Sequence, residues 1–321
     1  MDKTYEACLV VDDFPANGSY WRRLQCRAFG YPAPEVCEWS RGWPRQSAAP
    51  FININVLHEF VDFIEEYDIK GKMTLLPCPA GLGRIDQSIR TLDKKVLQQI
   101  LEITRTKLAK RFDLSLEVLT HSMGLDIKTG ALLPHTESAW VSFLASPGRG
   151  HHEQLCDYID YGIRIHKNAG FMPKCVSIGG MPDVSGIAGN KMLHDNYNIE
   201  RLADAFTEVF NQYFPKSKNI FLAASSKFTG PISEKFYLPE KIKEYKNGIS
   251  VFHIVSYIGE PLLPLFLGKG NPHKVADSLI SADLQKGTFV ETLEKGKALV
   301  LLTHAQTLTS LNTGLGFKAL K

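Results

Sequence analysis

The chain has 321 residues, 44% hydrophobic and 22% charged, with 37 lysines and arginines against 34 acidic residues. That much apolar material excludes a disordered chain, and a formal net charge of +3 over this length excludes a dedicated polyanion binder. No apolar run approaches the ~20 residues of a membrane helix, so neither nucleic acid nor a membrane is an expected partner.

The first apolar segment, Ala7–Val11, is too short for a signal-peptide core and runs straight into Asp12 and Asp13. It reads as a strand, and the chain as cytoplasmic. The six cysteines (Cys8, Cys26, Cys37, Cys78, Cys156, Cys175) form no CxxC pair and read as reduced thiols. Pro15–Pro50, rich in Pro, Trp and Arg, is too long for an ordinary connection and is expected to be a functional loop over the active-site face. Helix spacing follows at Val56–Tyr67 (Val56, Phe60, Phe63, Ile64, Tyr67), then a strand at Lys72–Leu76. A second helix lies within Leu92–Phe112, on Val96, Ile100, Ile103 and Leu108, before the strand Ser115–Leu119. Leu155, Ile159, Ile163 and His166 line a third, which Asn168–Gly170 can end ahead of the strand Cys175–Ile178.

The clearest helix is Ile199–Tyr213, with Leu202, Phe206, Val209, Phe210 and Tyr213 on one face and Pro215 as its stop. Strands Asn219–Ala223 and Ile249–Val255 follow, then a helix around Phe289–Leu293 and a last strand, Ala298–Leu302. Strand and helix alternate along the whole chain, which predicts an α/β fold with a parallel sheet inside and helices outside. With seven such units and no low-complexity linker, residues 1–321 are expected to form one domain, a closed or nearly closed (β/α)7 barrel.

Ligands of parallel α/β folds bind at the carboxyl ends of the strands. Chemistry-bearing residues collect there: Asp12-Asp13 after the first strand, Thr120-His121-Ser122 after the third, and Thr303-His304 with Gln306 after the seventh. Adjacent carboxylates repel unless a cation lies beside them. A divalent ion ligated by one, with the other taking a proton, would relieve that.

These residues give the chain a resemblance to the polysaccharide deacetylase-like family, whose fold is a distorted (β/α)7 barrel. The family's Thr-Phe-Asp-Asp motif reads Val10-Val11-Asp12-Asp13 here; the resemblance implies that Asp12 is the general base and Asp13 a metal ligand. Its His-Ser/Thr-x-x-His motif reads His121-Ser122-Met123-Gly124-Leu125, so His121 is an implied ligand and Leu125 replaces the second one. Its Leu-x-His motif is matched by Leu302-Thr303-His304, which makes His304 the implied general acid. A zinc or similar divalent ion needs at least three protein ligands. Asp126, His135 and Glu137 are the candidates for the third. The family's orienting arginine has no counterpart near Phe171-Met172-Pro173-Lys174; Arg22, Arg23 or Arg84 could take its place.

The Gly/Pro segment Pro77–Arg84 lacks the order of a nucleotide loop, but Arg84 could bind an anionic group. Trp21, Tyr31, Trp39, Trp43 and Trp140 offer flat faces to sugar rings. His151-His152-Glu153 looks like a metal cluster but reads as the opening of a helix. The expected function is metal-dependent removal of an acyl group from a small-molecule or oligosaccharide substrate. Asp12 and His304 do the proton transfers, and Trp21, Arg84, Trp140 and Gln306 contact substrate. Two alternatives remain open: a barrel that binds carbohydrate without turnover, and a glycoside hydrolase pairing Asp12 with Glu137 or Asp283.

Overall fold

The computed structural model describes residues 7–15, 51–173, 175–178, 197–215, 219–224, 240–253, 258–259, 261–266, 270–296, 298–310 and 313–321. The strands in chain order are β1 (Ala7–Phe14), β2 (Gly71–Leu75), β3 (Gly83–Arg84), β4 (Ser88–Ile89), β5 (Phe112–Glu117), β6 (Met123–Leu125) and β7 (Leu132–Thr136). They continue with β8 (Cys175–Ile178), β9 (Asn219–Ala224), β10 (Glu240–Glu244), β11 (Ser250–His253), β12 (Ile258–Gly259) and β13 (Leu299–His304). Nine of them form one sheet in the order β10-β11-β9-β8-β5-β2-β1-β13-β12. All neighbours in it run parallel except β10, which is antiparallel to β11. The fold is therefore mixed α/β. Two hairpins, β3–β4 and β6–β7, are inserted after β2 and β5.

Period-2 alternation separates the two faces of this sheet. Leu9, Val11, Met73, Leu75, Leu114, Leu116 and Val176 belong to one continuous hydrophobic core with the buried faces of the helices. Many of the opposite side chains are polar and also buried, among them Asp12, Lys72, Thr74, Ser115, Glu117 and Ser177. Lys72 bonds to Asp12 and Ser177, Thr74 to Glu117, and Ser115 to Cys175. Buried parallel strands ordinarily read as unbroken apolar runs. Here polar residues break the run in β2, β5 and β8, and the breaks cluster on one face.

The helices form where the apolar spacing places them. Ile54–Glu66 is capped by Asn53, which accepts from Asn55 N–H, and buries Val56, Leu57, Phe60, Val61, Phe63 and Ile64; Tyr67 becomes its exposed C-cap. Lys94–Thr106 is capped by Asp93 and ends well before Phe112, which opens β5. His151–Asn168 approaches the sheet closely at Gly162, where a Cβ would meet Leu116, Leu119 and the Val118 carbonyl at 2.9–3.0 Å. Tyr197–Tyr213 packs beside it, burying Leu202, Phe206, Val209 and Phe210. Glu137–Leu144 and Pro272–Leu279 are helices the sequence reading did not anticipate. Among the described residues, no helix is long and apolar enough to cross a membrane, and Cys8, Cys78, Cys156 and Cys175 are free thiols.

The stretch Pro15–Pro50 lies, beyond Pro15 itself, outside the described residues. Its base is defined, because the Ile52 N–H donates to the Pro15 carbonyl at 3.1 Å.

His166 pins the third helix to the sheet, its Nε2–H donating to the Leu75 carbonyl at 2.8 Å. Burial lowers its pKa from 6.5 to about 4, because the imidazolium would be desolvated while the Leu75 carbonyl only partly offsets that cost. The unfolded chain takes up this proton near pH 6.5 and the folded chain only near 4. Stability is therefore lost as pH falls through that window, by up to about 3 kcal/mol. Urea midpoints of the His166→Gln variant should vary less between pH 6.5 and 4 than those of the unsubstituted chain.

Candidate metal centre

The site begins with an irregularity in β1. Against β2, Val11 pairs with Met73 and Phe14 with Leu75, so Asp12 and Asp13 share a bulge with one residue too many. Asp13 sits at φ +69°, a left-handed conformation that Asp tolerates better than most residues. In a regular pleat, consecutive residues point to opposite faces. The bulge lets both aspartates reach the same cluster. Asp13 N–H donates to Thr74 Oγ1 and to Glu117 Oε2, both at 3.0 Å. Both Asp13 carboxylate oxygens are buried without a well-formed hydrogen bond among the described residues, and Oδ1 has the His121 ring nitrogen beside it. A buried carboxylate left this way costs several kcal/mol unless a cation answers it.

His121 lies between two acids, with Nε2 3.0 Å from Asp13 Oδ1 and Nδ1 2.6 Å from Glu117 Oε1. Asp13, Glu117 and His121 are all buried, and their ligand atoms lie within 4.8 Å of one another. This group could hold a metal ion. A carboxylate on one imidazole nitrogen fixes the tautomer and aims the other lone pair, an arrangement common behind metal-bound histidines. Electrostatics agree. Burial raises the Asp13 carboxyl well above its usual range, with Glu117 and Asp12 adding repulsion and His121 opposing. Burial alone would raise Glu117 too, but His121, Thr74 and the Asp13 N–H outweigh it and bring it down to about 2.

Glu137 builds the loop that carries His121. Its carboxylate accepts from the backbone N–H of Leu119, Thr120 and His121 at 2.6–3.0 Å and from the Tyr158 hydroxyl at 2.7 Å. These bonds hold His121 at φ +55°. Glu137 is thus a positioning residue beside the centre. Its acceptor sites are filled by those donors, so it does not serve as the third ligand.

Asp12 is 7% exposed and faces Lys72, whose Nζ lies 3.3 Å from Asp12 Oδ1 and 3.1 Å from Ser177 Oγ. Burial opposes the Lys72 charge, but Asp12, Cys175 and Glu117 prevail and raise its pKa, so it stays an ammonium. Lys72, rather than the expected Arg84, is thus the cation that faces Asp12. Removing it leaves a buried carboxylate unpaired; Lys72→Met should cost about 3 kcal/mol in urea denaturation, with Asp12→Asn in the same chain restoring much of the loss. His304 ends β13 in register with Asp12, and its ring centroid is 6.3 Å from that of His121. Burial lowers its pKa, partly countered by Asp12.

The other expected site residues are elsewhere. Asp126 caps a turn, accepting from Lys128 N–H and from the Thr129 hydroxyl, because a short acid beside two free N–H groups satisfies them first. His135 is exposed on β7. Neither joins the cluster, so Glu117 replaces Asp126, His135 and Glu137 as its third member. Arg84 is held by Asp86 through two bonds of 2.6 and 2.9 Å, with its guanidinium over Tyr161 on the flank of the helix His151–Asn168. No contact links it to Asp12. Trp140 stacks on Phe143 at 5.6 Å, so that ring face is occupied. Gln306 is buried in the helical turn after β13. Leu125 is a core residue of β6. Asp283 lies in an exposed turn, bonded to Ser281 and Gln285, away from Asp12. Trp21, Arg22, Arg23, Tyr31, Trp39, Trp43 and Lys174 lie outside the described residues.

Glu117 and Lys72 were missed because each sits inside an apolar strand run. The available signal was a charged residue at alternating phase with small polar ones: Lys72 with Thr74, Glu117 with Ser115. The chain matches no known family model and no curated protein.

Proposed function

We propose that this protein is a metal-dependent hydrolase of the polysaccharide deacetylase type, acting on an N-acyl or O-acyl group of a carbohydrate-like substrate. The observation that carries it is the Asp13–Glu117–His121 group, with both oxygens of a fully buried carboxylate lacking a hydrogen bond beside an imidazole nitrogen. Asp13 and His121 would hold a divalent ion, with zinc the best match to a nitrogen and oxygen set. When bound, such an ion polarises an acyl carbonyl and acidifies water. Asp12, held by Lys72, accepts the water's proton. His304, in register with Asp12 across β1 and β13, would relay the proton taken up by Asp12 to the departing amine or alcohol, so the proton that water loses is the one the leaving group gains. Glu137 keeps the His121 loop in place throughout.

A distorted (β/α) barrel suits this chemistry, and the chain length supports a sheet closed on itself. β11 and β12 lie near opposite edges of the sheet, yet only four residues separate His253 from Ile258. Fully extended, that connection spans about 18 Å, whereas seven flat strand spacings would need about 34 Å. A sheet curled until its edges approach, with the polar face enclosed, meets the bound.

The test is acetate release from N- and O-acetylated sugars by protein loaded with zinc. Turnover should vanish in Asp12→Asn while metal content stays. Failure of the protein to bind any divalent ion would overturn the reading.

A further inference from the structure

We propose that His152, Cys156 and Glu208 form a second metal site, taking a borderline-soft divalent ion such as zinc, which ties the helix His151–Asn168 to the helix Tyr197–Tyr213. His152 and Cys156 are one helical turn apart and share a face. Glu208 reaches them from the neighbouring helix. His152 Nε2 is 2.8 Å from Glu208 Oε2 and 3.6 Å from Cys156 Sγ, and all three ligand atoms lie within 4.8 Å of one another. Zinc bonds of ordinary length at a tetrahedral angle set nitrogen and sulfur about 3.6 Å apart. The histidine–cysteine pair already has that spacing. Nitrogen and oxygen would need about 3.4 Å, so the exposed Glu208 carboxylate has to back away by roughly 0.6 Å.

The surroundings favour a cation. Glu208, Asp157 and Glu153 all place negative charge near the Cys156 thiol. His152 and Glu208 side chains are 40% and 59% exposed, which leaves the outer position open to water. His151 does not take part; its ring packs on Phe143 at 4.4 Å and meets Ser146. Binding would release one proton, the Cys156 thiol giving up its hydrogen as the metal–sulfur bond forms. The site is independent of the centre at the end of the sheet, which contains no sulfur.

Cobalt separates the two centres, because only a thiolate ligand produces a sulfur-to-cobalt charge-transfer band in the near ultraviolet. Reduced full-length protein titrated with cobalt should develop that band, and zinc should displace it. The band should persist in Asp13→Asn, weaken at least tenfold in apparent affinity in Glu208→Gln, and disappear in Cys156→Ser. Zinc should also raise the melting temperature of Asp13→Asn but not of the double variant with Cys156→Ser. No band at millimolar cobalt, or a band that survives Cys156→Ser, would overturn the proposal while leaving the reading of the first centre untouched.

Discussion

Asp13→Asn should lower metal affinity at the sheet's carboxyl end by more than ~100-fold while leaving the fold intact. Asparagine keeps the side-chain volume and tolerates the left-handed backbone at this position, so the loss reports the missing charge. The same substitution should stabilise the protein in the presence of a chelator, by about 1–2 kcal/mol, because burial and the repulsion of Glu117 and Asp12 disfavour a charge on Asp13 by more than His121 offsets. Opposite effects in holo and apo protein are the signature of a metal ligand; a structural acid would lose stability in both. Glu117→Gln should weaken binding about 10–100-fold, since it orients His121 as well as joining the group. Asp126→Ala and His135→Ala should leave it unchanged. Metal content after dialysis, with urea midpoints measured with and without chelator, decides all four.

Glu137→Ala should be the most destabilising single change near the site, costing about 4 kcal/mol or more in urea. Its carboxylate satisfies three consecutive backbone N–H groups and one hydroxyl, and alanine would strand all of them in a dry interior. Tyr158→Phe removes only one of those donors and should cost about 1–2 kcal/mol. In the double variant the two costs should add to less than their sum, because the hydroxyl bond is lost once. Equal losses in the two single variants would contradict the staple role of Glu137.

The residues at strand ends were legible. Asp12, Asp13, His121 and His304 stand where an apolar run stops, and parallel sheets expose chemistry at that end. The seven strands and the four long helices were legible for a similar reason, since their spacing is set by the core they share. What lay hidden was the inner lining. Lys72 and Glu117 occupy alternate positions of β2 and β5, and a strand reading that counts apolar residues treats them as interruptions. The third member of the metal group was sought downstream of His121, in Asp126, His135 and Glu137, because the family motif points forward along the chain. The folded chain supplies it from four residues upstream. Glu137 illustrates the limit well: its proximity to His121 follows from the hairpin β6–β7, which nothing in the local pattern announced.

The hydrogen bond between Ile52 N–H and the Pro15 carbonyl carries a consequence for how this protein could diversify. It pinches the chain together one residue past Phe14, so everything between departs and returns at a single point immediately beside the aspartates. Exchanging that interval would leave the described strands joined in the same order. Relatives could therefore trade one interval for another while inheriting the same pair of aspartates, much as a common handle accepts different blades.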